Sequence, residues 1–183
     1  FGDSYDDFTY MENRMDLNFF KGNFTGWLQY EYSDPPELGF PIKDLRKYRL
    51  EYSSGPWSLK LGDIYEVWGR GLVLAQLDDQ GIDFDNSSRG HLLNYRLENI
   101  SVTQMNGQTK NAQLGSDLRY PEFEFTHNMD ATNIEFDVYP FNFGLSFLQS
   151  NELHQFKPFG VMDTVDVNHR LHGGYLSWFG SVA

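Results

Sequence analysis

The chain contains no cysteine. Disulfides therefore play no part in holding it together, and its redox compartment stays open. No stretch approaches the ~18 consecutive apolar residues of a transmembrane helix. That excludes a helical membrane span and leaves a membrane β-barrel open, because alternating strands average out as polar. Basic residues are scarce: 14 Lys and Arg stand against 26 Asp and Glu, a formal net charge of −12. Nucleic acid, which needs a basic face, is excluded as a partner. No segment carries a 3.6-residue apolar period, so almost no helix is expected. The chain opens on Phe1 without a start Met or a signal-peptide pattern, which reads as a processed or partial sequence.

What is present is an aromatic load of 17% and a strict alternation of apolar and polar residues. "RMDLNFF" sets Met15, Leu17 and Phe19 against Asp16 and Asn18, and "FTGWLQYEY" sets Leu28, Tyr30 and Tyr32 against Gln29 and Glu31. "KYRLEY" opposes Tyr48, Leu50 and Tyr52 to Lys47, Arg49 and Glu51, and "WSLKL" opposes Trp57, Leu59 and Leu61 to Ser58 and Lys60. "HLLNYRL", "ISVTQM", "NIEFDV" and "FGLSFL" continue the pattern, and "HRLHGGYLSW", whose facing is ambiguous, brings the expected strands to nine. One face is almost wholly Met, Leu, Phe, Tyr, Trp, Ile and Val. The other holds Asp16, Glu31, Lys47, Arg49, Glu51, Lys60, Arg96, Glu135 and Asp137.

The connections alternate as well. "KGN", "SSGP", "EN" and "YPFN" are tight turns, while the links near 33–46, 62–90, 106–131 and 149–168 are long and hold most of the acids. In an up-and-down meander this trims one end and elaborates the other, the asymmetry of outer-membrane barrels. Lipid imposes an apolar outer face and permits a wet inner one. Aromatics near strand ends (Phe19, Tyr30, Tyr32, Tyr52, Trp57, Phe143) suit interfacial girdles. The expected fold is therefore an all-β antiparallel meander forming an outer-membrane-type barrel or a consecutive nine-strand part of one. The charged residues named above would then face the lumen. Single-chain bacterial barrels have even strand counts, so an odd count points to part of a wall, with residues 1–183 forming one domain.

The longest link, "GDIYEVWGRGLVLAQLDDQGIDFDNSSRGHLL", is the least ordinary. Its Gly62, Tyr65, Gly69, Gly71, Asp85, Asn86 and Gly90 resemble an uncharacterised family of Bacteroidota outer-membrane proteins, in which a strand is followed by a Gly-aromatic segment, a Gly-x-Gly-apolar run and then Asp-Asn and Gly before the next strand. The resemblance implies location and fold, in the bacterial outer membrane, and no reaction. Read from its residues, this loop is expected to fold into or over the lumen, with Arg70 and Arg89 pinning it through Asp83 or Asp85; the alternative is a loop that projects outward.

Candidate sites are few. Asp78, Asp79, Asp83, Asp85 and Asn86 offer hard oxygen ligands that suit Ca²⁺, but their spacing is not that of an EF-hand, and a solvated acidic loop is the preferred reading. His169 and His172 fall on opposite faces of a strand and so do not share a metal, with His154 nearby in sequence. No Gly-x-Ser-x-Gly elbow, phosphate loop or marked carboxylate pair is present, so no enzyme and no cofactor is expected. The expected function is a pore, a plugged barrel or a structural subunit of an envelope assembly, with outer-membrane lipid and other envelope subunits as partners. The alternative is a secreted soluble β-sandwich that binds glycans through aromatic loops.

Overall fold

The structure, a computed structural model, describes residues 11–34, 41–79, 84–114, 121–156 and 163–179. Nine long strands are β1 (Glu12–Lys21), β2 (Phe24–Ser33), β3 (Lys43–Ser54), β4 (Trp57–Ile64), β9 (Ser88–Leu97), β10 (Ile100–Leu114), β11 (Pro121–Val138), β12 (Phe141–Phe156) and β13 (Asp163–Trp178). They form one antiparallel sheet in the order β1-β2-β3-β4-β9-β10-β11-β12-β13. The remaining strands are two residues each: β5 (Val67–Trp68) pairs with β6 (Leu74–Ala75), and β7 (Asp78–Asp79) with β8 (Phe84–Asp85). All four lie in the long link, residues 65–87, hereafter the insert. Helix among the described residues is limited to a 3-10 turn at Gly69–Gly71.

The tight turns are where the sequence puts them. Gly22–Asn23, Gly55–Pro56, Glu98–Asn99 and Tyr139–Pro140 each join two neighbouring strands. Two-residue hairpins fix register, and register fixes facing, since a slip of one residue would turn every side chain over. Cross-strand partners share a face, so the pairings Asp16↔Gln29↔Lys47 and Glu51↔Lys60↔Leu92↔Met105↔Ala131↔Leu148 trace one face across the sheet. All nine charged residues expected to share a face do so, and the insert packs on that face. Leu50, Leu59, Leu93, Phe136 and Leu145 share the opposite one.

Packing is concentrated under the insert. Ile64, Leu92, Met105, Met129, Ala131 and Leu148 of the sheet bury against Trp68 and Leu74 of the insert, with Val73 beside them. Much of the rest of this covered face is polar: Gln29, Ser101, Asn133, Ser146 and Ser150 are buried there too. They are not left unsatisfied. Gln29 donates to Asp16 over 2.9 Å, and Ser146 donates to Asn133 over 2.7 Å.

One expectation changes. The links near 106–131 and 149–168 are largely strand: β10 to β13 run for 15, 18, 16 and 16 residues. Alternation is weakened there because the uncovered face turns polar, with Gln104, Asn106 and Gln108 of β10 and Asp130 and Asn128 opposite them, while the covered face mixes Met105 and Met129 with Gly107 and Thr109. Acids assigned to loops, such as Glu124, Glu152 and Asp166, therefore sit in the ladder. The sheet is also open: among the described residues β1 pairs only with β2 and β13 only with β12, so closure of a barrel is not part of the observed fold.

Gly90 tests the packing of the ladder. It stands between Gly62 of β4 and Gly107 of β10, and a Cβ on it would collide with the Asn106 carbonyl oxygen. Gly90→Ala should cost about 1–3 kcal/mol by overpacking, whereas Leu97→Ala, at an exposed position, should change the denaturant midpoint little. Equal midpoints for the two variants would contradict this packing.

Candidate functional site

The insert leaves the sheet at Ile64 and returns at Ser88, two residues before Gly90. At its base Gly62 and Gly90 are direct cross-strand partners. Gly62 has φ 105°, and a Cβ there would run into the Tyr48 carbonyl, so a side chain is excluded by both conformation and space. The insert then reverses through Gly69, Arg70 and Gly71, all left-handed with φ 60°, 57° and 84°. Val73 comes down on Gly173 of β13, where a Cβ would displace it.

Two lysines of the covered face hold the insert. Lys47 of β3 is 3% exposed, and its Nζ lies 2.7 Å from both Asp78 Oδ2 and Asp85 Oδ2. The Tyr65 hydroxyl donates to the same Asp85 oxygen over 3.2 Å, and the Ser87 N–H donates to Asp85 Oδ1 over 2.9 Å. Burial pushes the Asp85 carboxyl pKa up, but the Lys47 ammonium and the Ser87 N–H more than offset it, leaving it below the ordinary carboxylate value. Burial also raises the Tyr65 phenol, which stays neutral. Lys60 of β4 donates to Glu66 over 2.8 Å, and the Trp68 Nε1–H donates to the same carboxylate over 3.2 Å. Gln76 links inward, donating to Ser88 Oγ over 2.6 Å, and Ser88 bonds Thr109 of β10 over 2.9 Å. Asn86 clamps the insert to itself: it donates to the Ala75 carbonyl over 2.8 Å and accepts from the Leu77 N–H over 2.6 Å.

The pinning expected of the arginines is corrected by this geometry. Arg89 points to the uncovered face, where its Nε is 3.0 Å from Asp63 Oδ1 and its guanidinium lies 5.1 Å from the Tyr48 ring centroid. Strand parity is the reason: Ser88 and Gly90 face the insert, so Arg89 between them cannot. Arg70 makes no ion pair among the described residues, and Asp83 lies outside them. Of the expected pinning residues only Asp85 serves, through Lys47. The calcium set is likewise dispersed. The Lys47 ammonium already occupies the space between Asp78 and Asp85, Asn86 is spent on backbone groups, and Asp79 lies on the short ladder opposite Phe84.

The other charged residues of this face pair locally. Glu31 receives Arg46 Nη1 at 2.8 Å, and Arg49 meets Glu51 at 2.7 Å. Glu135 receives the Tyr175 hydroxyl at 2.9 Å, and Asp137 accepts from Asn142. Arg96 stays exposed near the tight-turn end. Between the insert and β10 to β13 lies a cavity of about 380 Å³, with Leu74, Phe84, Phe125, His127, Glu152 and His169 in its lining. Sequence reasoning missed this grouping, because its members come from three strands and the insert.

Lys47→Met should loosen the insert while leaving the sheet intact. Removing one partner of a buried ionic group costs about 3–5 kcal/mol, here because Asp78 and Asp85 would be left facing each other. The readout is faster amide exchange confined to residues 65–87, and unchanged protection there would exclude the latch. The pH dependence has a definite sign. Asp85 is more acidic when the insert is docked, so docking is supported above the ordinary carboxylate pKa and loses that support as pH falls through the lowered value. Exchange of the insert should be insensitive to this group between about pH 5 and 8 and should rise below about pH 4.

Comparison with known proteins places this architecture in a family. No curated protein matches the chain, and no solved structure matches it. A family model does match, over residues 3–169, which takes in the insert and eight of the nine long strands in full. The chain belongs to the family of unknown function DUF6029.

Proposed function

We propose that the nine-stranded sheet is wall of a bacterial outer-membrane β-barrel, and that the insert lies in its lumen as a plug. One observation carries the reading: the polarity of the sheet is reversed relative to a soluble protein. The covered face is rich in Lys, Gln, Ser, Thr and Asn, while Leu17, Leu61, Leu93, Leu145 and Phe147 stand exposed on the other. A soluble sheet buries its apolar face and wets its polar one. Contiguous apolar patches beyond a few hundred Å² mark lipid or partner surfaces.

The details support the same reading. Aromatics gather on the uncovered face at the tight-turn end, with Phe24–Tyr52, Trp57–Tyr95 and Phe136–Phe143 ring centroids 4.7, 4.4 and 4.7 Å apart. That is the place of an interfacial girdle. A tilted strand needs ~9–11 residues to cross a bilayer. β10 to β13 exceed this, and their excess turns polar on the uncovered face at the other end. Lipid does not tolerate an open sheet edge, so in the barrel β1 and β13 each take a further strand as neighbour. The function that follows is passive: a plugged channel or a wall subunit of an envelope assembly. A soluble glycan-binding sandwich would need a second sheet against the apolar face, and among the described residues none lies there.

Detergent dependence is the direct test. The purified protein should stay monodisperse only in detergent and should resist unfolding in cold SDS. Leu93→Arg, in the middle of the apolar belt, should destabilise it by about 2–4 kcal/mol. A protein that is soluble and monodisperse without detergent, with Leu93→Arg unchanged in stability, would refute the membrane reading.

A further inference from the structure

The covered face carries a second polar cluster that the latch does not use. Glu152 of β12 stands at its centre. His127, its direct neighbour on β11, approaches Glu152 Oε1 with Nε2 at 3.7 Å. His154, two residues along β12, places Nε2 3.0 Å from Glu152 Oε2, and His169 of β13 places Nε2 3.5 Å from the same oxygen. His172 is not a member. It faces the other way and meets Phe147 edge-on at 5.5 Å. Three imidazoles thus converge on one carboxylate beside the cavity under the insert, which His127, Glu152 and His169 help to line.

We infer that this cluster binds one borderline divalent transition-metal ion of the Zn²⁺, Ni²⁺ or Cu²⁺ class. The donor set is the first reason. Three imidazole nitrogens with one carboxylate is the chemistry such ions select, and it suits Ca²⁺ and Mg²⁺ poorly. Spacing is the second. Donors bound to one tetrahedral ion at ~2.0–2.2 Å stand about 3.3–3.5 Å from each other; His154 and His169 stand 3.0 and 3.5 Å from one Glu152 oxygen, and His127 stands 3.7 Å from the other. His127 is the third: its Nε2 is buried with no hydrogen-bond partner. A buried polar atom left unmatched costs stability unless something answers it. The groups are drawn near without yet being gathered, since among the described residues no three stand around a ready-made metal position. Gathering them around an ion requires the partly exposed His154 and His169 rings to rotate about Glu152. The ion would tie β11, β12 and β13 together under the insert. The inference does not depend on whether the uncovered face meets lipid.

Cobalt is the probe, because tetrahedral Co²⁺ bound by nitrogen and oxygen shows d–d absorption that a non-specific acidic surface does not. The whole chain, titrated with Co²⁺ and then displaced by Zn²⁺, should bind one ion per molecule. Proton competition for imidazole should weaken uptake at least tenfold between about pH 7.5 and 5.5. Glu152→Gln and the double variant His127→Ala/His154→Ala should each lose at least tenfold in affinity, and His172→Ala should lose none. Absence of the d–d band in the wild type overturns the proposal, as does binding retained in both cluster variants. Circular dichroism checks the variants' folding. If the double variant does not fold, Glu152→Gln, which preserves side-chain volume, decides.

Discussion

Four two-residue turns make hairpins of eight of the nine long strands in one antiparallel ladder, and the register of that ladder governs everything built on it. Because side chains alternate strictly, register decides that Lys47, Lys60, Glu135 and Glu152 look toward the insert while Leu50, Leu93 and Leu145 look away. The covered face is therefore polar. A polar face cannot be closed by hydrophobic packing alone, and the apolar cluster beneath Trp68 and Leu74 is small. What completes it is hydrogen bonding and charge: Gln76 to Ser88 to Thr109, Glu66 to Lys60, and Lys47 between two aspartates.

The insert is the structural consequence of that face. A buried ammonium is tolerated only when its charge and its donors are answered. Lys47 has two carboxylates from the insert and the Tyr65 ring beside it. Neither partner is stable in that position without the other. The residues that carried the family resemblance all take part in this arrangement. Gly62 and Gly90 pair at the base, Gly69 and Gly71 make the reversal, Tyr65 bonds Asp85, and Asn86 staples two segments of the insert. They build a shape and a docking surface.

Much of this was legible in the chain. Alternation marked all nine strands and the facing of the first eight, since "KYRLEY" and "WSLKL" can bury only one side, while "HRLHGGYLSW" left its facing open. "KGN", "SSGP", "EN" and "YPFN" marked the hairpins. The extended parts of β10 to β13 were not legible, because period-2 contrast weakens where the uncovered face is polar and the covered face mixes apolar with small and polar residues, as Met105, Gly107 and Thr109 do opposite Gln104, Asn106 and Gln108. Arg70 and Arg89 of the long link drew attention as the only basic residues among its acids, but an ion pair is a matter of facing. Arg89 went to Asp63, and the cation that reached Asp85 came from β3, far away in sequence.

By itself, then, the order of residues determined the strands, the turns and the division of the sheet into an apolar and a polar face. These follow from interactions between residues close in the chain, and periodicity reports them directly. Only the tertiary structure decided which polar residues meet. The Lys47 latch joins residues separated by 31 and 38 positions, and the Glu152 cluster gathers histidines from β11, β12 and β13. Such groupings depend on strand order and on where the insert lies against the sheet, and no local pattern in a chain encodes a distance between strands.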